Sequence, residues 1–118
     1  MTDRIPAARL ERLLLAAEVP NNGNRAVRVG ELCLLVCNAD GQFHVVENRC
    51  SHQKSPLEGG RIRRGHLSCP LHGVRFNLST GEPLGALTRV PIRTYPVQII
   101  DGFVAVELRD SGARPTGG

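Results

Sequence analysis

Tryptophan is absent from this chain of 118 residues, which has one tyrosine and three phenylalanines. Rings this scarce argue against a deep aromatic substrate pocket. They also argue against the stacking platform on which unpaired nucleic-acid bases are held. No apolar run approaches the roughly 20 residues of a membrane helix, and residues 1–12 carry charges throughout without the apolar centre of a signal peptide. The expectation is a cytoplasmic protein with no membrane partner. Acidic residues are outnumbered, with 11 Asp and Glu against 15 Lys and Arg for a net charge of +4. A basic excess suits phosphate neutralisation, but the arginines are scattered along the chain, so no nucleic-acid partner is expected.

What is present is the material of one compact β domain. A chain of this length forms a single core. From residue 25 onward, short runs of Val, Ile and Leu are separated by Gly, Asn, Asp and Pro, the pattern of an all-β sandwich or barrel. Candidate strands cover 25–29, 32–38, 43–48, 97–100 and 103–108. Asp40-Gly41 and Asp101-Gly102 sit between such runs and mark hairpins, because both residue types accept positive φ. Near the N-terminus the pattern points elsewhere: Leu10, Leu13, Leu14 and Ala17 fall at helical spacing, a preference that strand pairing can override.

The stretch 48–88 differs in character, being rich in Gly, Pro, Ser, Arg and His, and it holds two Cys–His pairs. The first is Cys50-Ser51-His52 and the second Cys69-Pro70-Leu71-His72, with sixteen residues between His52 and Cys69. Thiolate and imidazole suit zinc, copper and iron–sulfur centres. A finger-type zinc site takes two cysteines from one knuckle and two histidines from another. Here each arm offers one of each, an order that suits a two-iron cluster with the cysteines on one iron and the histidines on the other. A zinc-stabilised interaction module remains the alternative. Pro56, Pro70 and Gly73 disfavour helix through the ligands, and Gly59, Gly60 and Gly65 allow turns between the arms.

The pattern C-x-H followed by C-x-x-H resembles that of the Rieske family, and most of all its stand-alone ferredoxins serving bacterial aromatic-ring dioxygenases. Further landmarks run in the same order: Asn48-Arg49 before the first Cys, Leu57-Glu58-Gly59-Gly60, Gly73-Val74-Arg75-Phe76, Thr80-Gly81-Glu82-Pro83 and Tyr95-Pro96-Val97. The resemblance implies an antiparallel β sandwich with a loop-built cluster-binding subdomain at about 48–88, within a single domain of residues 1–109 and ahead of a flexible tail at 110–118. It implies that residues 10–15 form a strand, with any helix confined to a turn near 16–19. One [2Fe–2S] cluster would be held by Cys50, His52, Cys69 and His72. The protein would be a one-electron carrier and no enzyme, working between a flavoprotein ferredoxin reductase and a terminal oxygenase that dock near His52 and His72. The small Rieske subunit of a nitrite reductase is the alternative within the family.

Rieske proteins of respiratory complexes add a cysteine to each ligand loop, joined as a disulfide, and a Ser and a Tyr that donate hydrogen bonds to cluster sulfur. Ser55, Leu71, Val74 and Phe76 occupy those positions here, which implies a low potential. Cys33 and Cys37, in an apolar strand pattern, read as buried inert thiols. His44 and His66 read as ordinary surface or hydrogen-bonded histidines. Arg49, Lys54, Arg61, Arg63 and Arg64 crowd the ligand-bearing stretch, either as solvated rim or as a docking patch.

Overall fold

The computed structural model describes residues 8–51, 55–71, 73–85 and 87–109. Among them are eleven strands in three antiparallel sheets. The first sheet has the order β1 (Ala8–Leu15), β11 (Phe103–Arg109), β10 (Val97–Ile100). The second has β2 (Asn24–Val29), β3 (Leu32–Ala39), β4 (Gln42–Glu47), β9 (Thr94–Tyr95). The third has β5 (Ile62–Arg63), β6 (His66–Ser68), β7 (Arg75–Asn77), β8 (Pro83–Leu84). The five strands anticipated from sequence are all present. The third sheet was not anticipated: the stretch expected as loops carries strands of two or three residues, too short for alternation to show.

Both Asp-Gly pairs turn hairpins as expected. Asp40 and Gly41 have φ of 52° and 91°, and Asp101 and Gly102 have 51° and 82°. Two successive positive values give the tight turn whose twist matches that of the flanking strands.

The second sheet is the middle layer, and β3 shows why. Leu34 and Val36 pack with Val45, Val104, Val106 and Leu108 in one core. Leu35 and Cys37, on the alternate face, pack with Val46, Leu57, Leu67 and Phe76 in another. A strand covered on both faces reads as a continuous apolar run, which is what Leu34-Leu35-Val36-Cys37 is. Each fully buried Leu or Val contributes about 1.5–3 kcal/mol, so the two cores anchor the ligand-bearing lobe and the first sheet to opposite sides of one strand.

The N-terminal segment is a strand, despite its helical spacing. β1 pairs with β11 from Ala8 opposite Arg109 to Leu15 opposite Phe103, with a register shift between Arg12 and Leu14. The irregularity lets the adjacent Leu13 and Leu14 both pack against the first core, and so breaks the alternation a strand would otherwise show. A single 3-10 turn, Ala16–Glu18, follows. The Glu18 carboxylate accepts the Leu15 N–H at 3.2 Å, and the Ala16 N–H reaches the Gly102 carbonyl at 2.8 Å. The expected tail at 110–118 lies outside the described residues. Among the described residues no helix is long and apolar enough to cross a membrane.

The two cysteines of β3 part company. Cys37 is fully buried, and burial pushes its thiol up to about 12. Cys33, expected to be buried, is exposed. Burial along β3 begins only at Leu34, since neither core takes in Leu32 or Cys33. In the native protein a thiol reagent at pH 8 should therefore modify Cys33 and spare Cys37, read by peptide mass mapping; Cys37 labelled as fast as Cys33 would contradict the packing. The Cys37 pKa is raised in the folded state, so its contribution to stability is complete below the unfolded value near 9 and is lost as pH rises toward about 12.

Candidate metal centre

Two loops carry the Cys–His pairs, one following β4 and the other joining β6 to β7. They are closed alike. The Cys50 N–H donates to the Ser55 carbonyl and the Cys69 N–H to the Val74 carbonyl, both at 2.7 Å, so each loop is tied from its cysteine to the residue five further on. A Gly73 N–H to Cys69 carbonyl bond of 2.9 Å tightens the second.

Asn24 on β2 and Asn48, just after β4, hold segment 57–60, which lies between the two loops. Asn48 Oδ1 accepts the Leu57 and Glu58 N–H groups at 2.8 and 3.0 Å. Asn24, on β2, accepts the Gly59 N–H through Oδ1 and donates Nδ2 to the Gly60 carbonyl, both at 2.9 Å. Gly60 is required where the arms cross: a Cβ there would stand 2.1 Å from the Ser68 carbonyl oxygen, on the strand that leads into Cys69. The Ser51 hydroxyl donates to the Val90 carbonyl and lies 3.4 Å from Thr88 Oγ1, which holds segment 87–90 against the first loop.

The two cysteines arrive in one place. Cys50 is 0% and Cys69 2% exposed, and both belong to the core that holds Leu57, Leu67, Val74 and Phe76. Ser55 Oγ, from the first loop, is 3.9 Å from Cys69 Sγ in the second; this contact was not foreseen from sequence, where Ser55 figured only as the position of an absent cysteine. His52 and His72 lie outside the described residues, as does Lys54. Among the described residues no three His, Cys, Asp or Glu side chains are grouped to hold a metal ion, so Cys37, in the same core, does not complete a site with Cys50 and Cys69. Two buried thiols presented by like-built loops fit a group that takes two sulfur ligands from inside and its remaining ligands from the loops themselves. Backbone N–H groups in such loops stabilise negative sulfur.

The remaining histidines keep ordinary places. His44 is half-buried on β4, and burial lowers its pKa. His66 Nδ1 is 3.1 Å from the Arg64 carbonyl.

Comparison with known proteins agrees with this geometry. The Rieske [2Fe-2S] domain description matches residues 11–96. A 3-phenylpropionate/cinnamic acid dioxygenase ferredoxin subunit of Photorhabdus laumondii is 33% identical over 94 residues, 79% of this chain and 89% of that protein. The solved Sphingomonas yanoikuyae B1 ferredoxin superposes with a TM-score of 0.79 at 34% identity, covering 85% of this chain and 99% of its own. A chain of the complex of reduced oxygenase and oxidized ferredoxin in carbazole 1,9a-dioxygenase superposes with a TM-score of 0.76 at 30% identity, with 83% of this chain and 92% of that one covered. Because the match runs from β1 through β9 with both loops inside it, the chain belongs to the Rieske [2Fe-2S] domain family, and its cofactor is one Rieske-type cluster.

Proposed function

We propose that the protein is a cytoplasmic Rieske ferredoxin, taking single electrons from a flavoprotein reductase and passing them to the terminal oxygenase of an aromatic-ring dioxygenase system. The observation that carries this reading is coverage: the chain accounts for 89% and 99% of the two ferredoxins above, so nearly their whole length is matched. Residues 1–109 form the single domain, with the ligand-bearing lobe at about 48–88. Cys50 and Cys69 would hold one iron of the cluster, and His52 and His72 the other. When bound, the cluster takes up and releases one electron. The chain's own residues bury Cys50 and Cys69 in the second core and hold segment 57–60, which follows the first loop, through Asn24 and Asn48. No residue is assigned as acid, base or nucleophile; the protein carries, and the oxygenase catalyses.

Reconstituted electron flow tests this. Oxygen uptake by reductase plus terminal oxygenase, with NADH as donor and an aromatic substrate, should rise at least about tenfold when the loaded protein is added, as expected when it supplies the one-electron link. Uptake that ignores the loaded protein, with every reductase and oxygenase tried, overturns the reading.

A further inference from the structure

The third sheet has one face in the core and one in solvent, and the outward face is basic. Ile62, Leu67 and Phe76 point into the core. On the other side Arg61, Arg63, His66, Ser68 and Arg75, together with Gly73 of the second ligand loop, line a shallow hollow of about 220 Å3. The strand register assembles it, with Arg63 opposite His66 and Ser68 opposite Arg75. Three guanidiniums thus converge from positions 61, 63 and 75. Among the described residues none of them meets a carboxylate, whereas Arg12 pairs with Asp101 at 3.4 Å and Arg25 with Glu18 at 3.7 Å. Like charges gathered without a counter-charge repel one another, and an arriving anion relieves that cost.

Apolar surface reaches this face at Leu84 and through the second ligand loop, whose Gly73 lines the hollow. Leu84 lies opposite Arg75 in the β7–β8 pair and is 49% exposed; Leu71, in the second ligand loop, is 67% exposed, and Leu87 and Val90, on the segment held to the first loop, are 57% and 58%. A small anion has no use for such a collar. Apolar surface beside unpaired arginines is the anatomy of a protein interface, and the sign of the charge selects an acidic counterpart.

We propose that Arg61, Arg63 and Arg75, with the Leu71, Leu84, Leu87 and Val90 collar, form the docking face for the terminal oxygenase, whose matching surface is apolar and flanked by carboxylates. This rests on the electron-carrier reading and adds the partner's surface chemistry to it. The guanidiniums steer the encounter, and the collar excludes water once it forms.

The test uses the cluster-loaded full chain and a terminal oxygenase that accepts its electrons in the assay above. Association rates are measured by surface plasmon resonance for the wild type, Arg63→Glu, Arg75→Glu and, as a control of equal charge change on β2, Arg28→Glu. At about 0.05 M salt, Arg63→Glu and Arg75→Glu should each slow association roughly tenfold and Arg28→Glu less than about twofold. The differences should close by about 1 M, where the screening length is near 3 Å. Unchanged visible absorption shows that each variant is folded and loaded. Equal slowing by all three variants, or by none, overturns the docking face while electron transfer by the wild type leaves the ferredoxin reading standing. Saturable binding of inorganic phosphate that requires Arg63 and Arg75, with oxygenase association unmoved by either reversal, overturns it in favour of a small-anion site. Absence of transfer to any oxygenase overturns both.

Discussion

Cys69→Ala yields a colourless protein. The wild type is expected to be red-brown, with iron and acid-labile sulfide in equal amounts, about two irons per chain, and essentially no zinc. Removing one sulfur ligand should take iron from about two per chain to essentially none, since an opened cluster is exposed to solvent and its remaining ligands cannot retain it. Cys69 is 2% exposed in the same core as Leu57, Leu67 and Phe76, so the variant loses more than colour. Cluster binding is also folding free energy, and the variant's thermal midpoint should fall. His52→Ala should lose the Rieske spectrum as well, by removing one of the four proposed ligands. Cys33→Ala, at an exposed position on β3, should keep colour, iron and midpoint. Metal analysis with visible absorption and circular dichroism decides the matter: a colourless, stably folded wild type containing one zinc would refute the ligand assignment.

The reduction potential should lie near the low end of the Rieske range, at about −150 mV. Hydrogen-bond donors to cluster sulfur favour the reduced state, which carries one more negative charge, so their absence lowers the potential. The positions that hold Ser and Tyr in the respiratory Rieske proteins are here Val74 and Phe76, both buried in the core of Cys50 and Cys69. Val74→Ser with Phe76→Tyr should raise the potential by on the order of 50–150 mV, since two charge-assisted bonds of one to a few kcal/mol correspond to roughly 40 mV per kcal/mol in a one-electron couple. Among the described side chains, Ser55 places its hydroxyl 3.9 Å from Cys69 Sγ, where it can donate to an iron-bound thiolate. Ser55→Ala should move the potential the other way, by less, because the contact is long. Protein-film voltammetry reads all three. A wild-type potential above about +150 mV would reject the low-potential assignment, and an unshifted double variant with an intact spectrum would reject the hydrogen-bond explanation alone.

The proposed ligands Cys50, His52, Cys69 and His72 were read from the sequence because chemistry ties ligand type to spacing: one thiol and one imidazole per arm is an order that few sites use. The two Asp-Gly hairpins were equally plain, since positive φ is a local demand that few residue types meet. β3 could be read as a strand from its apolar run, but being covered on both faces is a property of its neighbours. The N-terminal strand at 10–15 and the turn after it came from the family resemblance and are borne out; local spacing alone pointed to a helix, which pairing with β11 overrode, with an irregularity at Arg12–Leu14 reconciling the two. Packing alone separated Cys33 from Cys37, four residues apart on one strand with the same local pattern. The third sheet was hidden because strands of two or three residues leave no periodicity, and with it went the meaning of the arginines. Arg61 and Arg63 are near neighbours in sequence, but Arg75 joins them only through the β6–β7 register. The proposed ligands fall into two short local motifs in the sequence. The surface beside them is non-local, because a charge pattern on a sheet is set by which strands pair.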